Sequence, residues 1–345
     1  MTYTIRDVAR LARVSIATVS AVLTGKKPVS ADLRGRIEEA MSALDYYPDH
    51  VARSLKMGST NVVGMVIPDV SNPFFTELMR GAEEEARRCG ISVMLSNTDG
   101  DPAIEHMQLN RLLARRVDGI LLSWADSFAP WERLDRRKIP FVFLDRVPLG
   151  FEGAAVVLDN CAAAAEATRY LIGLGHRRIS IIAGSQKVSP GIARLEGFRE
   201  AMESAQLTVR QQYVRYGDFS IDGGYQSGLE LIALPSAPTA IVSCNNKMTL
   251  GLMRAMAEQR VAGPMAISVI GFDDFEWSAN FSPRLTTMGQ PTRAMARKAM
   301  EMLLDQVKAT DQYVSPGTIT FKGELNIRDS TAPPRFVRSA SLRNP

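Results

Sequence analysis

At 345 residues the chain exceeds one ordinary hydrophobic core, and its 46% hydrophobic content suffices for a large globular one, which excludes a single small domain. No apolar run reaches membrane-spanning length and no signal peptide precedes the first polar helix; Cys89, Cys161 and Cys244 stand apart, without metal-ligand or disulfide spacing, so the expected compartment is the reducing cytoplasm. The net charge of +4 is unevenly placed: residues 1–60 hold nine Lys/Arg against six Asp/Glu, the remainder 32 against 31, so the basic excess lies at the N-terminal end, as phosphate contacts require.

In chain order, the first predicted helix carries Ile5, Val8, Ala9 and Ala12 on one stripe, with Thr4 as N-cap and Asp7 in the first turn, where the helix dipole favours it. A tight turn leads to a second helix, capped by Ser15 and stopped by Gly25, that buries Val19, Val22 and Leu23. Ile16, Ala17, Ser20, Ala21 and Thr24 are left facing outward. Ser30 caps a third helix with Leu33, Ile37, Ala40, Met41 and Leu44 inward. Small outward residues ringed by Arg10, Arg13, Lys26, Lys27, Arg34 and Arg36 read as a helix-turn-helix meeting double-stranded DNA. The following segment, Pro48 to Lys56, is too short to be a stable helix alone, and Val51 and Leu55 share one face of it. The expected division is residues 1–47 for the DNA-binding domain, 48–60 for a hinge and linker, and 61–345 for a two-lobed domain.

From Asn61 the rhythm becomes alternating strands and helices. Predicted strands are Val62 to Ile67, Ile91 to Leu95, Gly119 to Leu122, Phe141 to Leu144, Ile179 to Ala183, Tyr213 to Tyr216, Ala240 to Ser243 and Ser268 to Phe272. Helices lie between them, among them Phe74 to Arg88, Arg194 to Ser204 and Met248 to Glu258. The pattern restarts after Asn160. Near-continuous apolar strands in two such runs imply two lobes of parallel sheet covered on both faces, an α/β fold behind a small all-α domain.

Ligands in such folds bind beyond the carboxyl ends of the strands. The polar and aromatic residues there are Asn72, Phe74, Phe75, Asp145, Arg146, Arg194, Phe219, Asn245, Asp273 and Gln290. Rings cover the C–H faces of a sugar, and planar Asp, Arg, Asn and Gln groups pair with its hydroxyls. Lys247 either favours an anionic ligand or lies with Asn246 at the rim, facing water. His50, His106 and His176 are scattered and read as surface residues. No metal site and no cofactor are expected, and with no histidine in the cleft no catalytic residue is assigned.

The Asp7-Val8-Ala9 run, then Val14-Ser15-Ile16-Ala17-Thr18-Val19-Ser20, and the hinge Tyr47-Pro48 through Ala52-Arg53-Ser54-Leu55 resemble the lactose-repressor (LacI/GalR) family of bacterial transcription regulators. That resemblance implies DNA contacts from Thr4, Ser15, Ile16, Ala17, Thr18, Ser20, Ala21, Arg53 and Leu55, with Leu55 pushed between base pairs in the minor groove. It implies a homodimer on a pseudo-palindromic operator and an effector-binding domain of periplasmic-binding-protein type. The ten strand-end residues also resemble the pocket of periplasmic ribose-binding proteins, which implies a monosaccharide, a pentose among them. The expected activity is repression of a carbohydrate-utilisation operon. A sugar acid or phosphate, or a phosphorylated protein coregulator, is the alternative control. Two departures stand out: Ala21 replaces the family's usual base-contacting Arg, and Asn246 replaces its usual Asp. The tail from Ser330 has no apolar heptads for a tetramerising coiled coil.

Overall fold

The computed structural model describes residues 3–24, 28–46, 59–135, 138–261, 263, 266–309 and 317–334. The chain divides into two compact units, Met1–Asn61 and Val62–Pro345. Among the described residues no helix is long and apolar enough to cross a membrane.

Among the described residues the first unit has three helices: α1 (Ile5–Leu11), α2 (Ile16–Thr24) and α3 (Ala31–Ala43). The Asp7 carboxylate accepts both the backbone N–H of Thr4, at 3.0 Å, and its hydroxyl, at 2.8 Å, and these bonds hold Asp7 below its ordinary pKa. Arg13, in the left-handed region at φ 53°, makes the turn into α2. There the Ser15 hydroxyl accepts the Thr18 N–H at 3.1 Å, and Ser30 does the same for Leu33 at the start of α3. Val8, Ala9, Ala12, Val19, Ile37 and Ala40 form the core, with Val22, Leu23, Met41 and Leu44 packed against it. Arg36 of α3 donates to the Ala12 carbonyl at 2.6 Å, closing the end of α1. The stop at Gly25 and the hinge segment Pro48 to Lys56, including Arg53 and Leu55, lie outside the described residues.

In the second unit β1 (Val62–Ile67) leads to α4 (Pro73–Arg88), β2 (Ser92–Asn97), α5 (Pro102–Ala114), β3 (Gly119–Leu122), α6 (Glu132–Asp135), β4 (Phe141–Leu144) and β5 (Ala155–Leu158). Then come α7 (Asn160–Gly173), β6 (Ile179–Ala183), α8 (Ser189–Ser204), β7 (Val214–Tyr216), α9 (Ile221–Ile232), β8 (Ala240–Ser243), α10 (Asn246–Glu258), β9 (Ser268–Phe272) and β10 (Thr286–Gly289). The last elements are α11 (Thr292–Lys308), β11 (Thr318–Phe321) and β12 (Glu324–Asn326). Among the described residues one sheet runs β11-β5-β4-β3-β1-β2 and the other β12-β10-β9-β8-β6-β7. All pairs are parallel except β10 with β12.

The two lobes are therefore not consecutive halves of the chain. It leaves the first sheet after β5 and returns from β10 through α11, which packs on α4, to add β11. It then crosses back for β12. Two of these crossings touch: the Asp159 N–H donates to the Phe321 carbonyl at 2.8 Å. Helix α8 starts at Ser189 rather than at Arg194. Pro190 in its first turn reads as loop in a sequence, yet that position needs no N–H and suits the fixed φ of proline.

His176 is a correction. It is 1% exposed, not a surface residue, with Nδ1 on the Thr239 hydroxyl and Nε2 on the Ala332 carbonyl, each at 2.9 Å. It pins the segment after β12 beneath the second sheet. His106 is exposed, and His50 lies outside the described residues.

Candidate functional site

Strand ends deliver the cleft residues. Asn72 opens α4: its Oδ1 accepts the Phe74 N–H at 3.0 Å, and Pro73 follows in the first turn. That geometry turns both Phe74 and Phe75 inward, edge to face with centroids 5.1 Å apart. Both are buried. Asp145 and Arg146 follow β4, Phe219 follows β7, Asn245 caps α10, Asp273 follows β9 and Gln290 follows β10. With Arg194 of α8, all ten residues singled out in the sequence border one cavity. Pro190 is an eleventh lining residue that the sequence reading missed, because it was assigned to a loop.

Three of these positions have left-handed backbone: Asp145 at φ 70°, Phe219 at 62° and Asp273 at 71°. Asp tolerates this region; for a bulky aromatic residue it is an outlier. The Phe219 ring lies over Gly184, where a Cβ would come within 2.0 Å of the ring, so only glycine admits the aromatic wall.

The polar groups are largely pre-positioned by one another. Arg194, 3% exposed, donates through Nε to Asn160 Oδ1 at 2.8 Å and through Nη1 to the Cys244 carbonyl at 2.5 Å. Its guanidinium sits 4.2 Å from the Phe272 ring centroid. Asp273 accepts from Gln290 Nε2 at 2.6 Å and from the Asn246 N–H at 3.3 Å. Asn245 donates to the Phe219 carbonyl and accepts from the Met248 N–H. Arg146 lies 3.8 Å from Asp145 and 5.5 Å from the ring centroids of both Phe75 and Phe219. Gln290 Oε1 is buried with no hydrogen-bond partner among the described residues. Burial pushes Asp145 up to about 6 against the pull of Arg146 and Arg194, and it raises Asp273 against Arg194, Gln290 and the Asn246 N–H. Two carboxyls and two guanidiniums converge on flat aromatic walls, an arrangement that recognises a small polyhydroxylated ring.

The lobes are drawn together over this cavity, whose free interior is only about 30 Å³. Asn246 is 1% exposed, so it is not a rim residue; its Nδ2 donates across the cleft to Asn72 Oδ1 at 2.7 Å. Beside it Lys247 Nζ meets Asp69 Oδ2 at 2.9 Å. Burial pushes Asp69 up, but bonds from Ser71 and Lys247 outweigh it and hold the carboxyl below its ordinary range. Further along, the Val147 N–H donates to the Ser189 hydroxyl at 3.0 Å and the Ser127 N–H to the Lys187 carbonyl at 2.7 Å.

In the first unit Thr4, Ser15, Ile16 and Ala17 are exposed, and Thr18, Ser20 and Ala21 are half-buried along α1 and α2. Ile16 and Ala17 present an exposed apolar surface at the start of α2. Arg10, on the exposed face of α1, pairs among the described residues with Asp7 of its own helix, at 3.3 Å.

A family model described as bacterial regulatory proteins, lacI family, matches residues 4–49. A second, described as periplasmic binding proteins and sugar binding domain of LacI family, matches residues 60–336. The ribose operon repressor of Escherichia coli (strain K12) is 37% identical over 308 residues, 88% of this chain and 93% of its own. The crystal structure of the Lac repressor dimer bound to operator and the anti-inducer ONPF aligns with a TM-score of 0.85 at 27% identity, covering 96% of this chain and 100% of that one. A LacI family transcriptional regulator from Enterococcus faecium with bound ribose aligns with a TM-score of 0.70 at 30% identity, covering 79% of this chain and 100% of its own. With both parts of the fold matched across nearly its whole length, the chain belongs to the lacI family of bacterial regulatory proteins and is a DNA-binding transcriptional regulator, not an enzyme.

Proposed function

We propose that this regulator is a cytoplasmic, dimeric repressor of a sugar-utilisation operon whose effector is a neutral pentose held in the cleft. The observation that carries the reading is the single cavity bordered by Asn72, Phe74, Phe75, Asp145, Arg146, Arg194, Phe219, Asn245, Asp273 and Gln290. The pentose is supported by the relative named for the ribose operon and by the structural neighbour with bound ribose. A neutral ligand is favoured over a sugar acid or phosphate because the Lys247 ammonium is engaged by Asp69. Two copies would set two α2 helices in successive major grooves, with Arg10 and Arg13 near phosphates. Ligand binding shifts the lobes only by its differential affinity for their two poses, typically about 1–3 kcal/mol.

The test is a thermal-shift screen of the purified protein against pentoses, hexoses, sugar acids and sugar phosphates, with Asp273→Ala alongside. One neutral pentose, D-ribose first, should raise the melting midpoint, and the variant should weaken its binding at least tenfold by removing charge-assisted hydrogen bonds. A response confined to acids or phosphates would overturn the reading.

Affinity should also depend on pH. Hydroxyls donate best to an ionised carboxylate, and Asp145 titrates at about 6. Sugar affinity should therefore be flat above pH 7 and fall as pH drops through 6. Calorimetric titration between pH 5 and 8 checks this, and an affinity that rises on acidification would contradict the assigned role of Asp145.

A further inference from the structure

A second cavity of about 190 Å³ lies within the first lobe, between α5, the loop after β3, and α6. Its walls include Leu109, Leu113, Trp124 and Leu134, with Glu105, His106 and Asn110 as its polar groups. An apolar cavity of roughly 150 Å³ accepts benzene, so this one has room for a substituted ring. Trp124 is held as a wall by edge-on contact with Phe143, centroids 5.7 Å apart.

Glu105 is 3% exposed, and one oxygen, Oε2, accepts the Ala125 N–H at 2.8 Å. The other has no hydrogen-bond partner among the described residues. A carboxyl in such surroundings costs stability that an apolar side chain would not, which singles it out from the packing around it. Burial pushes it up to about 8; Arg146 pulls against this, Asp126 adds to it, and His106 borders the same cavity. At neutral pH the group is a hydrogen-bond donor as well as an acceptor.

We propose that this cavity is a second small-molecule site, separate from the cleft, for a neutral ring-sized molecule whose hydrogen-bond acceptor meets the Glu105 carboxyl. Its occupant would lie against the stretch from Trp124 to Ser127. In that stretch the Trp124 backbone N–H donates to the Arg146 carbonyl at 3.2 Å, and the Ser127 backbone N–H donates to the Lys187 carbonyl in the other lobe.

The test is calorimetric titration of the full chain with benzamide as probe and benzylamine as its charged counterpart. Benzamide should bind at pH 7, weaken about tenfold by pH 9 as Glu105 ionises, and outbind benzylamine. Leu113→Trp should fill the cavity and abolish binding while the melting transition persists; should that variant not fold, Ala129→Phe at the rim serves the same purpose. Glu105→Gln keeps a donor and an acceptor, so it should retain binding and lose the pH dependence. Absence of benzamide binding at millimolar concentrations, binding that survives cavity filling in a folded variant, or benzylamine preferred and tightening with pH would each overturn the proposal.

Discussion

Arg194→Met is expected to lower the melting midpoint of the larger unit by about 6–12 °C and to abolish its response to sugar. The methionine stem keeps most of the packed volume, so the effect isolates the charge. Without the guanidinium, Asn160 Oδ1 and the Cys244 carbonyl lose their donor, and Asp145 and Asp273 lose the cation they share. Removing one partner from a buried charge cluster costs about 3–5 kcal/mol, which for a domain of this size is several degrees per pair of kcal/mol. The sign with pH follows from the carboxyls. In the variant both are pushed further up, the folded state holds protons that the unfolded state does not, and the loss shrinks as pH falls toward 5. Scanning calorimetry at pH 5 and pH 8 measures it. A midpoint within 2 °C of the parent at pH 8 would show that the cluster is not electrostatically coupled as described.

Ile37→Ala should separate the two activities. Ile37 is fully buried in the core of the three-helix unit, and its truncation costs roughly 2–5 kcal/mol. A unit this small has only a few kcal/mol of stability in total. The helices should melt near 37 °C, and operator affinity should drop by at least a hundredfold. The larger unit has its own cores, so its melting midpoint and sugar affinity should stay within error. Gel-shift assays paired with calorimetry decide the matter. Operator affinity within threefold of the parent would mean that DNA stabilises the helices far more than their own core does.

The helix-turn-helix was legible because short helices announce themselves through caps and stripes: Thr4 with Asp7, Ser15, Ser30, and apolar residues three and four apart. Six central strands, β1, β3, β4, β6, β8 and β9, were legible because burial on both faces makes them continuous apolar runs, as in Ile179 to Ala183, and the edge strands β2 and β7 were legible too. The short central strands β5 and β10 and the crossing elements were not. The strand β11, with Thr318 and Thr320 exposed, and the three-residue β12 carry no such run. Helix α11 lies past the last strand-end residue examined, and nothing local in Thr292–Lys308 says that it returns to the first lobe. The ten cleft residues could be named because strand ends converge in this fold whatever their neighbours. Their partners could not: that Asn246 reaches Asn72 is a contact between residues 174 positions apart, and spacing along the chain carries no trace of it. His176 misled for the same reason, since its partners Thr239 and Ala332 lie 63 and 156 positions away.

The left-handed backbone at Phe219 bears on how such a protein changes over generations. A glycine there would relax the chain, while removing the ring that walls the cleft cavity and meets Arg146. Selection for heat resistance alone and selection for a working switch therefore push this codon in opposite directions. Lineages that have lost the need to sense their sugar should shed the aromatic residue here before they lose any part of the buried strands.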